Sequence, residues 1–228
     1  MKLLALDTST ELCSVALSID GGMLSHAVMA GNRHSELLLP MVQELLHDAG
    51  WRLDELDALA YGEGPGSFTG LRIGCGVAQG LAFGTGLPVI GIGTLRAMAE
   101  EVHDSMAEAG QPTSVLACID ARMREVYVAA YRCDGDGIHE ISPPRVLPPE
   151  AVRLPEAGCW IGCGNGFSTY PDLLAGQLAE VRADIHPHAR SIARLALPIL
   201  AAGAARPAET VEPVYIRDKV ALKTCERP

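Results

Sequence analysis

The run Gly64-Pro-Gly-Ser-Phe-Thr-Gly-Leu-Arg-Ile-Gly74 constrains the fold of this 228-residue chain more than any other segment. It follows the short apolar segment 56–61, which is typical of a strand, and it leads into an uncharged stretch with the length of a helix. Glycines and a proline at such a turn permit an unusual backbone path, and Ser67 or Thr69 can cap the helix. The free N–H groups at the helix start can bind an anion, but local chemistry favours a purely architectural turn.

The composition predicts a folded protein from a reducing compartment. Hydrophobic residues make up 48% of the chain and charged residues 20%, which provides material for a core. Residues 73–95 carry no charge, but their seven glycines and Pro88 favour a helix followed by a buried strand over a membrane span. The first residues do not resemble a signal peptide, and seven scattered cysteines contain no C-x-x-C pair. We therefore expect a cytoplasmic protein with reduced thiols, no membrane association and no metal.

The net charge of −10 is unevenly distributed. Residues 1–110 hold five basic and fourteen acidic side chains, whereas residues 111–228 hold thirteen basic and fourteen acidic ones. An acidic surface repels a phosphate backbone, so we expect any role on nucleic acid to involve a partner protein.

The first half is predicted to open with three strands joined by tight turns, within residues 3–29. A helix follows over residues 34–48, where apolar residues recur at helical spacing and Gly50 marks the end. The glycine run then leads into a helix over 69–84, and a further strand and helix extend to residue 108. This order predicts a mixed sheet covered by helices.

A second α/β half is predicted after Gly110-Gln-Pro112, whose composition marks a boundary. Its strands precede a last helix over residues 189–202, and the proline-rich segment 143–149 is assigned no strand. We therefore divide the chain into residues 1–110 and 111–228, with the last helix packing back on the first half.

The turn Leu6-Asp7-Thr8-Ser9-Thr10 resembles the first phosphate loop of the actin, Hsp70 and sugar-kinase superfamily. In that superfamily an acidic residue at the end of the first strand orients a Mg²⁺-bound water, and the hairpin amides face nucleotide phosphates. The resemblance implies this α/β fold, with two subdomains that each contain a mixed sheet flanked by helices. It also implies that Asp7, Thr8, Ser9 and Thr10 are either a relic of such a loop or a weak contact to ATP or ADP, with no other cofactor.

Four further motifs follow one another in a specific order: Asn32–Pro40, Gly64–Gly74, Asp120–Tyr127 and Val214–Arg217. The series resembles the bacterial TsaB (YeaZ) family over essentially the whole chain, and the glycine run is its most specific part. The resemblance implies a role in forming N6-threonylcarbamoyladenosine at position 37 of tRNAs that read codons starting with A. It further implies pairing with the transferase subunit TsaD, recruitment of the ATPase TsaE, a homodimer when alone, and contact with tRNA only through the complex.

One motif argues against catalysis by this chain. The catalytic relatives bind metal through two histidines at positions i and i+4 of a helix, which face the same side. The matching segment here is His34-Ser-Glu-Leu-Leu38, so a leucine takes the place of the second histidine. We therefore expect an inactive paralogue of the transferase, without catalytic residues.

Two helices are predicted to contact the partner. The helix near 35–48 is apolar on more than one face, although burial within its own domain is the alternative. Gly76, Gly80 and Gly84 recur every four residues in the second helix, where each glycine costs about 1 kcal/mol relative to alanine and so indicates close approach of another element. The predicted contact residues are His34, Leu37, Leu38, Met41, Leu45, Leu71, Gly74, Val77 and Ala78.

Two other functions stay open at this point. An ATPase or kinase of the same superfamily would use Asp7 and Thr8–Thr10 on the phosphates with Mg²⁺. A metal-dependent peptidase is the second, because the catalytic relatives have been described as glycoproteases. Asp120 with Arg122 and Arg124 can imitate a second phosphate loop, although a salt-bridge cluster at a strand edge is favoured.

Overall fold

The computed structural model describes residues 1–106 and 112–217, which form two five-stranded mixed sheets with helices against them. The first sheet, in the order β3-β2-β1-β4-β5, contains β1 (Lys2–Asp7), β2 (Leu12–Ile19), β3 (Gly22–Met29), β4 (Ala58–Gly64) and β5 (Val89–Gly93). The second sheet, in the order β10-β9-β6-β7-β8, contains β6 (Thr113–Asp120), β7 (Val126–Asp134), β8 (Gly137–Leu147), β9 (Trp160–Cys163) and β10 (Glu180–Arg182).

Five α-helices are described: α1 (His34–Ala49), α2 (Phe68–Thr85), α3 (Thr94–Ser105), α4 (Gly166–Thr169) and α5 (Ala189–Ala201). Because side chains alternate along a strand, β1 sends Leu4 and Leu6 to the face covered by α1 and α2. Leu3 and Ala5 point to the opposite face, where α5 packs. The helix α3 packs on the second sheet, so α3 and α5 lie between the two sheets.

The predicted fold class, two α/β halves that each contain a mixed sheet flanked by helices, is confirmed. Two strands were missed, β8 and the short β10. The segment Gly137–Leu147 forms β8 although it contains Pro143 and Pro144. A proline cannot donate to a sheet, but β8 is an edge strand and its register with β7 shifts near these residues, between Val128 and Tyr131 of β7.

The end of α3 and the packing of α5 relate to the predicted division of the chain into two halves. The helix α3 ends at Ser105, and the predicted boundary at residues 110–111 lies outside the described residues. The helix α5 contacts β1, β2, β4 and β5 of the first sheet. Within the part of the chain that the structure describes, no helix has the length and apolar character to cross a membrane.

Candidate functional site

A cleft of about 1440 Å³ opens between the two halves. The turn after β1 and the first residues of α1 and α2 form one wall, and the loop after β6 forms much of the other. Of the four residues predicted to hold a nucleotide, Ser9 and Thr10 line this cleft. Asp7 and Thr8 are buried beneath it.

The carboxyl of Asp7 is enclosed by its own chain. Its Oδ1 accepts hydrogen bonds from the backbone N–H of Ser9 at 3.0 Å and from the Ser9 hydroxyl at 2.9 Å. Its Oδ2 is buried with no hydrogen-bond partner among the described residues, and a Cβ on Gly62 would overlap it. Burial raises the pKa of Asp7 to about 7, because desolvation outweighs the two hydrogen bonds from Ser9. The carboxyl therefore faces protein rather than a space that could hold a Mg²⁺-bound water.

The glycine run packs directly on the turn after β1. The backbone N–H of Ser67 donates to the carbonyl of Ser9 at 2.7 Å, and the hydroxyl of Thr8 donates to the carbonyl of Gly70 at 2.8 Å. A Cβ on Gly66 would overlap the Ser9 carbonyl, and one on Gly70 would overlap the Thr8 carbonyl. These glycines are required for contact between two backbones, which is the architectural role favoured by local chemistry.

This packing leaves the turn with little to offer a phosphate. The N–H of Ser9 is bound by Asp7, and the carbonyl of Ser9 is bound by Ser67. The hydroxyl of Thr10 lies 3.5 Å from the Nδ1 of His186, on the other side of the cleft. The geometry therefore gives no support to a phosphate contact through Asp7 and Thr8, and Ser9 and Thr10 face the cleft through their remaining surface.

The C-terminal segment 212–217 joins the two halves. The N–H of Val214 donates to the carbonyl of Glu63 at 2.7 Å, and a Cβ on Gly64 would lie 2.7 Å from the Val214 carbonyl. Three residues later, the Arg217 guanidinium forms an ion pair with Glu125 of the second half. The motif Val214–Arg217, for which the sequence offered no role, thus crosses from the glycine run to the loop after β6.

Phe68, Tyr215 and Arg217 line the cleft and were not among the predicted site residues. The Phe68 and Tyr215 rings lie 5.6 Å apart and are both partly exposed. Each of the three belongs to a motif that the sequence singled out. The aromatic rings and the guanidinium group within these motifs were the signal that could have identified them.

The predicted contact residues on α1 need correction. Leu38 and Leu45 have no exposed surface, Met41 is almost fully buried, and all three pack against the first sheet. They follow the i, i+3, i+7 spacing of a single buried stripe. Side chains in this position stabilise the half itself, so their burial argues against a partner contact for these three, whereas Leu37 is half-buried.

The predicted residues on α2 divide in the same way. Leu71, Gly74 and Ala78 are buried against their own chain, and a Cβ on Gly74 would lie 2.6 Å from the Thr8 hydroxyl. Val77 is half-buried. The assignment of the first three to a partner contact is therefore also corrected.

The other glycines of α2 lie on the opposite side. Gly76, Gly80 and Gly84 are exposed, and a Cβ on any of them would meet nothing within 4 Å. Phe83 beside them is 71% exposed. We call this surface, made by Gly76, Gly80, Phe83 and Gly84 with the half-buried Ile73 and Val77, the α2 glycine face.

His34 begins α1 and lines the cleft, but it has no metal-binding partner on that helix. Its Nε2 is buried without a hydrogen-bond partner in the described chain. Leu38, one turn later, is buried in the core rather than turned towards the cleft. Across residues 1–106 and 112–217, no three His, Cys, Asp or Glu side chains are grouped so that they could hold a metal ion.

Comparison with known proteins gives a consistent family. Residues 20–224 match the family described as "TsaD: tRNA N6-adenosine threonylcarbamoyltransferase". The chain is 44% identical to the Escherichia coli protein named tRNA threonylcarbamoyladenosine biosynthesis protein TsaB, over 98% of this chain and 97% of the relative. The Haemophilus influenzae protein of the same name is 40% identical, over 98% of this chain and 96% of the relative.

A solved structure agrees with these relatives. The structure titled "YeaZ from Pseudomonas aeruginosa" superimposes with a TM-score of 0.88 at 41% identity, and the match covers 94% of this chain and 99% of that chain. The chain therefore belongs to the TsaD-type family and, within it, to the TsaB (YeaZ) proteins of tRNA threonylcarbamoyladenosine biosynthesis.

Proposed function

We propose that this chain is a non-catalytic partner subunit in the cytoplasmic formation of threonylcarbamoyladenosine in tRNA. It pairs with a TsaD-type transferase and, through that pair, recruits the TsaE ATPase. Alone, it forms a homodimer through the surface that would otherwise bind TsaD. The family membership supports the pathway, and the α2 glycine face supports the mode of action.

The α2 glycine face is the observation that carries this proposal. Each interior glycine costs a helix about 1 kcal/mol relative to alanine. Gly70 and Gly74 offset that cost because their missing side chains allow contact with the turn after β1. Gly76, Gly80 and Gly84 have no such contact within the chain. A helix from another protein, packed with its backbone close to these glycines, would offset the unfavourable free energy of placing glycine in the helix.

The neighbourhood of His34 supports the non-catalytic part of the proposal. A metal site of the kind found in the catalytic relatives needs a second histidine one turn later on the same face. The residue at that position is Leu38, and it fills the core of the first half. Changing this position to a ligand would remove a buried apolar side chain rather than complete an existing site.

Size-exclusion chromatography with light scattering tests the pairing. The chain is run alone and after mixing with the TsaD protein of the same organism. We expect a one-to-one complex that forms at the expense of the homodimer. The variant Gly80→Leu places a bulky side chain on the α2 glycine face, where the free monomer has room for it. It should fold at least as stably as the parent and should lose the complex.

Gly135→Leu is the matched control. Gly135 lies in the turn between β7 and β8 and is exposed, and a Cβ at this position would meet nothing within 4 Å. This variant should pair like the parent. A parent chain that ignores TsaD would contradict the pairing, whereas a Gly80→Leu variant that pairs normally would contradict the choice of surface. Met41→Glu is unsuitable for this test, because it places a charge in the core.

A further inference from the structure

The two lips of the cleft each expose arginine beside apolar surface. The aromatic lip consists of Phe68 and Arg72 at the start of α2 together with Tyr215 of the C-terminal segment. The arginine lip consists of Arg122, Met123 and Arg124 in the loop after β6. Four of these six residues line the cleft directly: Phe68, Tyr215, Arg122 and Met123.

The aromatic lip is an ordered cluster. The Arg72 guanidinium lies 3.9 Å from the centre of the Phe68 ring, and its Nε donates to the Tyr215 hydroxyl at 3.0 Å. Phe68 and Tyr215 nevertheless remain 41% and 46% exposed. Flat rings held in place by a cation, yet open to solvent, are the kind of surface on which nucleobases stack.

The arginine lip is held outward by its backbone. Arg122, Met123 and Arg124 are three consecutive residues in the left-handed region, with φ of 62°, 54° and 59°. The Arg122 side chain is 87% exposed, although it lies 3.4 Å from Asp120, and Arg124 has no ion pair among the described residues. The nearby Glu125 is already paired with Arg217. The lip therefore offers positive charge to a ligand.

We propose that the two lips bind unpaired nucleotides of an RNA loop. A base stacks on the exposed Phe68 and Tyr215 rings, and the backbone phosphates on either side lie against Arg122 and Arg124. The phosphates stay at the lips because the turn after β1 is closed by the glycine run. This direct contact between the chain and RNA differs from the sequence-based expectation that the chain contacts tRNA only through its complex with TsaD.

Charge favours RNA over a protein as the occupant. Arg72 and Arg124 lack a carboxylate partner in the described chain, and the Asp120 and Glu125 carboxylates beside the arginine lip are paired within it. Stacking rings next to unpaired arginines provide both parts of single-strand recognition. The choice of an RNA loop rests on the proposed role in tRNA modification, whereas the location of the site rests on the two lips alone.

Fluorescence anisotropy with a labelled anticodon stem-loop RNA tests the proposal, using the chain alone and the chain mixed with TsaD. A fully paired RNA of matched length is the reference, and we expect the stem-loop to bind more tightly. Phe68→Ala and Tyr215→Ala should each weaken binding roughly tenfold. Tyr215→Phe keeps the ring and should bind like the parent. Replacing Arg122 and Arg124 together by Gln should reduce the slope of log K against log salt by about 2.

Leu24→Ala is the matched control. Leu24 is an exposed apolar residue on β3 that belongs neither to the cleft nor to the α2 glycine face. It should leave RNA binding unchanged. Equal affinity for the stem-loop and the duplex, no binding by either form of the chain, or unchanged binding in Phe68→Ala would overturn the proposal. If the lip variants still bind RNA but no longer form the complex with TsaD, the lips are a protein interface and the proposal is wrong. Pairing through the α2 glycine face is measured separately, so the two proposals can fail independently.

Discussion

The buried carboxyl of Asp7 should make the folded protein less stable as the pH rises. Its pKa is raised from 3.8 to about 7 by burial. Because the folded state holds the proton more tightly than the unfolded state, this group favours folding below the unfolded pKa. Its contribution is lost as the pH rises from 3.8 towards 7. At 1.36 kcal/mol per pKa unit, the full loss is about 4 kcal/mol, of which about 2–3 kcal/mol falls between pH ~5 and pH ~8.

Asp7→Asn isolates this contribution. The variant keeps an oxygen that can accept the two Ser9 hydrogen bonds, but it places an amide NH₂ at the Oδ2 position, where the carboxyl oxygen has no partner. The amide does not titrate, and at low pH the protonated carboxyl of the parent carries an O–H at the same position that also has no acceptor among the described residues. The variant should therefore be about as stable as the parent at low pH and should lose less stability as the pH rises.

Urea denaturation of parent and variant at pH ~5 and pH ~8 measures the free energy of unfolding of each protein and so the stability that each loses. Burial also raises the pKa of Glu100 to about 7, but Glu100 is present in both proteins and cancels in the comparison. Parallel losses of stability in parent and variant would refute the reasoning. They would mean that Asp7 is ionised at neutral pH in the folded protein, as expected of an accessible Mg²⁺-orienting carboxylate, and would restore weight to the ATPase hypothesis.

Three further predictions concern the glycines of α2 and the C-terminal segment. Gly70→Ala should lower the free energy of unfolding by about 1–3 kcal/mol, since its Cβ would overlap the Thr8 carbonyl. Gly76→Ala should raise it by about 1 kcal/mol, because its Cβ meets open space; urea denaturation measures both, and changes of the same sign would contradict the assignment. Arg217→Ala should cost about 1–2 kcal/mol by removing the ion pair with Glu125, and it should speed hydrogen exchange in residues 121–125 but not in α1. Unchanged exchange there would show that the C-terminal segment does not hold the loop.

Most of the fold could be predicted because its elements have clear periodicity. The residues of β2 alternate between two buried faces, and the apolar positions of α1 recur at helical spacing. The strand β8 was missed because two prolines are read as a break, whereas an edge strand tolerates them where its register shifts. Whether a strand lies at an edge is a property of the whole sheet, and local sequence does not contain it.

The site was harder to predict, because the same pattern serves opposite purposes. Leu38, Met41 and Leu45 have the spacing of a contact stripe whether the contact is another protein or the sheet below. Similarly, Gly74 and Gly76 are two positions apart in the chain, yet Gly74 packs against Thr8 and Gly76 faces open space. Only the rotation of each helix on its sheet decides between these roles.

The glycine run also explains why the first turn looks like a phosphate loop without behaving as one. In a loop of that kind, backbone N–H groups are left for the ligand. Here the N–H of Ser9 is taken by Asp7, and its carbonyl accepts the N–H of Ser67, so the turn and the run satisfy each other. Gly66 and Gly70 make this possible by admitting one backbone against another. The segment that first looked like an anion site is therefore what closes the turn, and binding is left to surfaces that the run does not cover: the α2 glycine face and the two lips of the cleft.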